Sequence, residues 1–189
     1  LKPIIEKIVQ RYPVKRIIAV ADRGLLSIDN LADLQAMKLP SGQPLEFILA
    51  VPGRRYSEFV DLLTPGQTQC ANAQQEVLQE LPWNQLRLVV AHAPQAAREA
   101  SAKRDAVIQK LEAQAAQWVG KLDAQDTGQR GRGRKLSDGG ARARFYHEVC
   151  EAHLSRIVRV DLKSELFSYA IDSKALAHAR LMDGKLLLV

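Results

Sequence analysis

The sequence predicts an α/β fold, on three observations. Apolar runs of strand length, "RIIAVAD", "LEFILAVP" and "LRLVVAHA", recur in the first half of the chain. Segments with helically spaced apolar residues lie between and after them. Beyond residue 125 the pattern shifts to shorter alternating segments, so a more β-rich second part is expected.

Each element has its own reason. In "PIIEKIVQRY" the residues Ile4, Ile5, Ile8 and Val9 recur at helical intervals, Pro3 sits in the tolerated first turn, and Pro13 is the stop. Val14 to Ala21 reads as a strand, a near-continuous apolar run of the kind buried on both faces in parallel sheets. Ser27 is a good N-cap for "IDNLADLQAM", and Asp29 complements the dipole in its first turn. Leu45 to Pro52 is a second buried strand and Leu86 to Ala93 a third, with "QCANAQQEVLQEL" between them as a short helix ended by Pro82. A long helix is expected from Pro94 to Leu122, because Ile108, Leu111, Ala115, Trp118 and Leu122 keep a helical spacing. It has too few clean heptads for a coiled-coil arm and reads as an ordinary packed helix.

After Gln125 the composition turns to Gly and Arg, which marks a linker. "ARFYHEVCEAHL" follows as a helix, "RIVRVDL" and "LFSYAID" as strands, "SKALAHARLM" as a short helix, and Asp183-Gly184 as a turn into "KLLLV". The expected division is therefore residues 1–125 and residues 126–189.

With 189 residues, 47% of them hydrophobic, the chain has material for a real core, and the scarcity of aromatics (5%) predicts an aliphatic one. No apolar stretch approaches the roughly 18 residues that span a bilayer, and the N-terminus lacks a signal-peptide h-region. Cys70 and Cys150 lie far apart in sequence, which argues against a disulfide scaffold. A soluble, cytoplasmic protein is expected. The start on Leu1 and the stop on an apolar run suggest an internal piece of a longer protein.

The net charge of +6 permits a polyanionic partner. Between Asp126 and Phe145, Arg130, Arg132, Arg134, Lys135, Arg142 and Arg144 face only Asp126 and Asp138, a local +4 that holds two-thirds of the total. This Gly-rich segment reads either as a solvated loop or as a strap whose cations touch phosphates without reading sequence.

Chemistry-bearing motifs are few. There is no Walker loop, no GxGxxG and no GxSxG elbow. "HEVCEAH" contains metal-ligand types, but at about 100° per residue His147, Cys150 and His153 fan around a helix, and the pattern is not HExxH. A helix with Val149 and Leu154 inward explains it better. Asp22 remains, a carboxylate directly after an apolar strand. It is either a turn residue or a reactive group, for in α/β sheets functional side chains gather at strand carboxyl ends. Because Ser27 already supplies the helix cap, a role for Asp22 as an oxygen ligand of Mg²⁺ fits its position.

"RIIAVADRGLLSIDNLADLQ" resembles the second acidic motif of the DDE transposases of bacterial insertion sequences, in the branch with a β-rich insertion. In that family a strand ends in Asp, followed by Arg or Ala, Gly, a Leu/Met pair and a helix-starting Ser. The resemblance continues collinearly through "LEFILAVPGRR", "LRLVVAHAPQAAREASAKRDAVIQKLE" and "IDSKALAHARLMDGKLLLV".

The resemblance implies a ribonuclease-H-like core with a β-rich or α+β insertion. It also implies an activity, the cutting and joining of double-stranded DNA at transposon ends and target, by an enzyme that is a homo-oligomer when intact. Two Mg²⁺ (or Mn²⁺) ions held by three carboxylates would serve the phosphoryl transfer. Asp22 would be the second of those acids, and Gly24 would let the chain turn away from it. Arg54 and Arg55 would lie on the DNA side; Arg130, Arg132, Arg134 and Lys135 would touch DNA on the strap reading of their charge, not through the resemblance. The family's first Asp lies upstream of this sequence, and no tyrosine here begins its final Tyr-x2-Arg-x3-Glu-x6-Lys helix. One acid of three is therefore expected, and no DNA cleavage by this chain alone. Two other readings compete: a non-catalytic basic module, such as a decayed transposase, that binds nucleic acid or a partner, and an α/β domain with a structural Asp.

Overall fold

The computed structural model describes residues 2–12, 16–22, 31–39, 41–128 and 135–189. The structure is mixed α/β with small sheets. It divides into two compact units, Leu1–Gln95 with Gly184–Val189, and Ala96–Asp183. The second unit is thus one continuous stretch set between two parts of the first. The boundary expected at 125/126 falls inside it.

In the first unit, α1 (Lys2–Arg11) precedes β1 (Ile18–Ala21), α2 (Leu31–Ala36) and β2 (Glu46–Leu49). Ser27, Asp29 and Gly24 lie outside the described residues, as do Pro13 and Val14. β1 and β2 pair in parallel, Ile18 opposite Glu46 through Ala21 opposite Leu49. Ile5, Ala21, Leu31, Leu34, Leu39, Leu45 and Leu49 are buried together on one side of this pair.

The other side is only partly covered by described residues. Ile18, Val20 and Ile48 are 47%, 73% and 44% exposed, so the expectation of strands buried on both faces fails. An apolar run of this length fits a one-faced strand as well as a two-faced one.

β2 runs into a 3-10 turn at Gly53–Phe59, followed by two short helices, α3 (Val60–Leu63) and α4 (Gln67–Asn72). Next come β3 (Val77–Trp83) and β4 (Leu86–His92), antiparallel neighbours with Trp83 opposite Leu86. The helix expected up to Pro82 is therefore only α4, and Pro82 lies within a strand. Proline is tolerated there because, among the described residues, β3 pairs only with β4 and leaves an edge where no N–H is needed. Asn84 and Gln85 make the two-residue turn with φ of 45° and 63°, the left-handed geometry that matches hairpin twist.

The last strand, β7 (Lys185–Leu188), pairs antiparallel with β4. Leu49 and Val189 exchange backbone hydrogen bonds of 2.7 and 2.9 Å, and Val51 N–H donates to Leu187 at 2.9 Å. These bonds carry the pairing from β2 across to β7. Tyr56, buried, secures the same strand: its hydroxyl donates to the Lys185 carbonyl at 3.3 Å and accepts from Leu187 N–H at 3.2 Å.

The second unit contains most of α5 (Pro94–Asp126), then α6 (Asp138–Glu151), β5 (Val158–Val160), β6 (Tyr169–Ile171) and α7 (Ser173–Met182). It is mainly helical rather than β-rich. α6 starts earlier than expected because Ser137 caps it, accepting from Gly140 N–H at 3.1 Å, so its glycines sit in a first turn and not in a linker. Ile108, Leu111, Ala115 and Leu122 of α5 are buried with Phe145 and Val149 of α6, as a packed helix requires.

The centre of this core is aromatic despite the composition. Phe145 lies 6.2 Å from Trp118, 5.4 Å from Phe167 and 4.9 Å from Tyr169, centroid to centroid. Val158–Val160 and Tyr169–Ile171 form an antiparallel pair, and Asp172 caps α7.

Candidate functional site

Parallel pairing brings the carboxyl ends of β1 and β2 to one edge. Asp22 directly follows Ala21, the last residue of β1, and Ala50 N–H donates to the Ala21 carbonyl at 3.1 Å, which holds the two strand ends level. The Asp22 side chain is exposed. This is the arrangement in which α/β sheets present functional groups.

From the same end β2 continues through Val51 and Pro52 into the 3-10 turn that carries Arg54 and Arg55. Arg54 is exposed and has no ion-pair partner among the described residues. Arg55 differs. Its guanidinium grips Glu58 in a bidentate pair, Nε at 2.7 Å and Nη2 at 2.8 Å, so its charge is matched within one turn. Of the two, Arg54 is better placed to meet a phosphate.

Lys135, exposed, stands just before α6 in the second unit, while Arg130, Arg132 and Arg134 lie outside the described residues. Arg142, from the same basic segment, is engaged with the Ser164 carbonyl. On α6, Val149 is fully buried, as the helix reading of "HEVCEAH" predicts, but the helix ends at Glu151, and Leu154, buried too, lies beyond it. His147 and His153 are exposed, and both cysteines are free thiols.

No group of three or more His, Cys, Asp or Glu that could hold a metal ion occurs among the described residues. A pair of Mg²⁺ ions needs more oxygen ligands than one carboxylate offers. The described residues do not make up a two-ion site by themselves. Asp22 could serve as a single ligand of such a site, completed by groups other than these.

Two features escaped the sequence reading. His92 and Lys185 are buried register partners on β4 and β7, and His92 Nε2 lies 3.1 Å from the Cys70 carbonyl. Alternation carries the signal: His92 is in phase with buried Leu88 and Val90, and Lys185 with buried Leu187. The second is a shallow groove of about 630 Å³ on the first unit, lined mainly by apolar residues including Ile18, Phe47, Ile48, Leu86 and Val189.

No helix among the described residues is long and apolar enough to cross a membrane. No family model, curated protein or solved structure matches the chain.

Proposed function

We propose that this chain is part of a DDE-type DNA transposase with a ribonuclease-H-like core, and that it contributes one acid, Asp22, to a Mg²⁺- or Mn²⁺-dependent site that cuts and joins transposon-end DNA. The observation that carries the reading is the exposed Asp22 carboxylate at the common carboxyl end of a parallel strand pair, with Arg54 leaving the same end. The resemblance of "RIIAVADRGLLSIDNLADLQ" to the family's second acidic motif gives that carboxylate its role. Divalent ions, when bound, would supply charge stabilisation at the transferring phosphate. Asp22 would hold and orient an ion, and Arg54, with the Gly/Arg segment, would neutralise and position the DNA backbone. The remaining acids, the DNA ends and the oligomeric partners belong to the intact enzyme, in the bacterial cytoplasm.

The test uses the intact enzyme, wild type beside Asp22→Asn, on DNA carrying the element's ends. Metal-dependent cleavage should be lost while DNA binding persists. Equal cleavage by both proteins would return Asp22 to the role of a turn residue. DNA binding without cleavage by either would favour the non-catalytic basic module.

A further inference from the structure

From Lys103 to Asp123 the lysines and the acids of α5 fall on different sides, whereas Glu99, one turn before Lys103, lies on the lysine side. At about 100° per residue, Lys103, Lys110 and Lys121 fall within about 20° of one another, a row about 27 Å long at about 1.5 Å per residue. Asp105, Glu112 and Asp123 fall on the opposite side of the helix. The three lysines are exposed, and none has an ion-pair partner among the described residues. The acids are occupied elsewhere in part: Asp105 pairs with Arg180 at 3.1 Å, and Glu112 raises the pKa of the Tyr169 hydroxyl, second to burial.

The row has smooth ground beside it. Ala106, Ala113, Gln117 and Gly120 adjoin it on the solvent side, all exposed. On α6 one acid borders the row, Glu148, which accepts from Gln114 Nε2 at 2.7 Å.

We propose that the Lys103–Lys110–Lys121 edge of α5 is a contact surface for the phosphate backbone of double-stranded DNA. A protein partner would want aromatic or arginine anchors set in pockets, and lysine is depleted in such interfaces. A membrane surface would want an apolar flank, where this helix has Ala, Gln and Gly. Unpaired lysines spaced along a straight rod, beside small residues that allow close approach, suit a polyanion read without regard to sequence. The inference rests on duplex DNA as the partner, and not on Asp22 or any metal.

The test measures binding of the 189-residue chain to a short duplex by fluorescence anisotropy over a series of salt concentrations. Wild type is compared with K103Q/K110Q/K121Q and with K7Q/K38Q/K163Q, which removes the same amount of charge from exposed lysines elsewhere. The α5 variant should bind about ten- to a hundredfold more weakly, with a slope of log K against log salt shallower by about 2 to 3 than wild type. The matched variant should keep most of both. Equal losses in the two variants would overturn the α5 surface and leave DNA as the partner. No duplex binding by wild type would overturn both.

Discussion

Arg104 on α5 grips Asp183, the residue after α7, through two parallel hydrogen bonds, Nη1 to Oδ1 at 2.9 Å and Nη2 to Oδ2 at 2.5 Å. Both side chains are only 12% exposed, and Arg104 Nε is buried with no hydrogen-bond partner among the described residues. The hydrogen bonds to Asp183 hold the Arg104 pKa above its ordinary value although burial works against it. The carboxylate is what makes a guanidinium tolerable there. Asp183→Ala should therefore destabilise the second unit by about 2–3 kcal/mol, since it strands a mostly buried charge. Arg180→Ala, which breaks the more exposed pair with Asp105, should cost less than about 1 kcal/mol. Urea unfolding followed by Trp118, in a Trp83→Phe background, reads the difference.

The β3–β4 turn holds Asn84 and Gln85 at positive φ. Asparagine tolerates that region, whereas glutamine has no local hydrogen bond to offset the strain. Gln85→Gly should stabilise the first unit by about 0.5–1 kcal/mol, the relief of a left-handed side chain less the added freedom of the unfolded chain. Urea unfolding monitored at Trp83, in a Trp118→Phe background, should show a higher midpoint with an unchanged slope.

Asp172 makes the second unit sensitive to acid. Its carboxylate accepts the Ala175 N–H at 2.9 Å at the start of α7, and this bond, with help from Arg159, holds its pKa below the ordinary aspartate range despite opposing desolvation. Asp161 is lowered in the same direction by the N–H groups of Lys163 and Ser164. A depressed carboxylate stabilises the fold fully above its unfolded-state pKa and ceases to do so as pH falls through the lower folded value. The melting temperature should thus fall progressively at acid pH below the ordinary aspartate range. Asp172→Asn, which keeps a capping oxygen, should flatten part of that decline, and Asp172→Ala should lower the melting temperature at neutral pH as well.

Much of this fold was legible in the residues. The spacing of Ile108, Leu111, Ala115, Trp118 and Leu122 located α5, and "LRLVVAHA" located β4, because both patterns are long and regular. β3 was hidden because Pro82 signals a helix stop more loudly than an edge strand, and its turn lacks the usual glycine. The start of α6 was hidden because Gly139 and Gly140 outweighed the Ser137 cap. Local sequence also does not say that Trp118, Phe145, Phe167 and Tyr169 will meet, nor which face of β1 will be covered.

Within the candidate site, the place of Asp22 at a strand tip was readable from the apolar run before it. The capture of Arg55 by Glu58, three residues on, was a short-range pairing that the sequence reading passed over. The lysine row on α5 lies within the helix expected from the sequence, but its neighbours are seen only once the packed face of the helix is known.

The role of Asp22 as a metal ligand is tested most directly by Asp22→Cys in the intact enzyme, with DNA cleavage measured in Mg²⁺ and in Mn²⁺. A thiolate is a poor ligand for hard Mg²⁺ and a better one for Mn²⁺. Cleavage lost in Mg²⁺ and partly restored in Mn²⁺ is the result expected of a carboxylate that holds the ion. Undiminished cleavage in Mg²⁺ would show that Asp22 holds no ion.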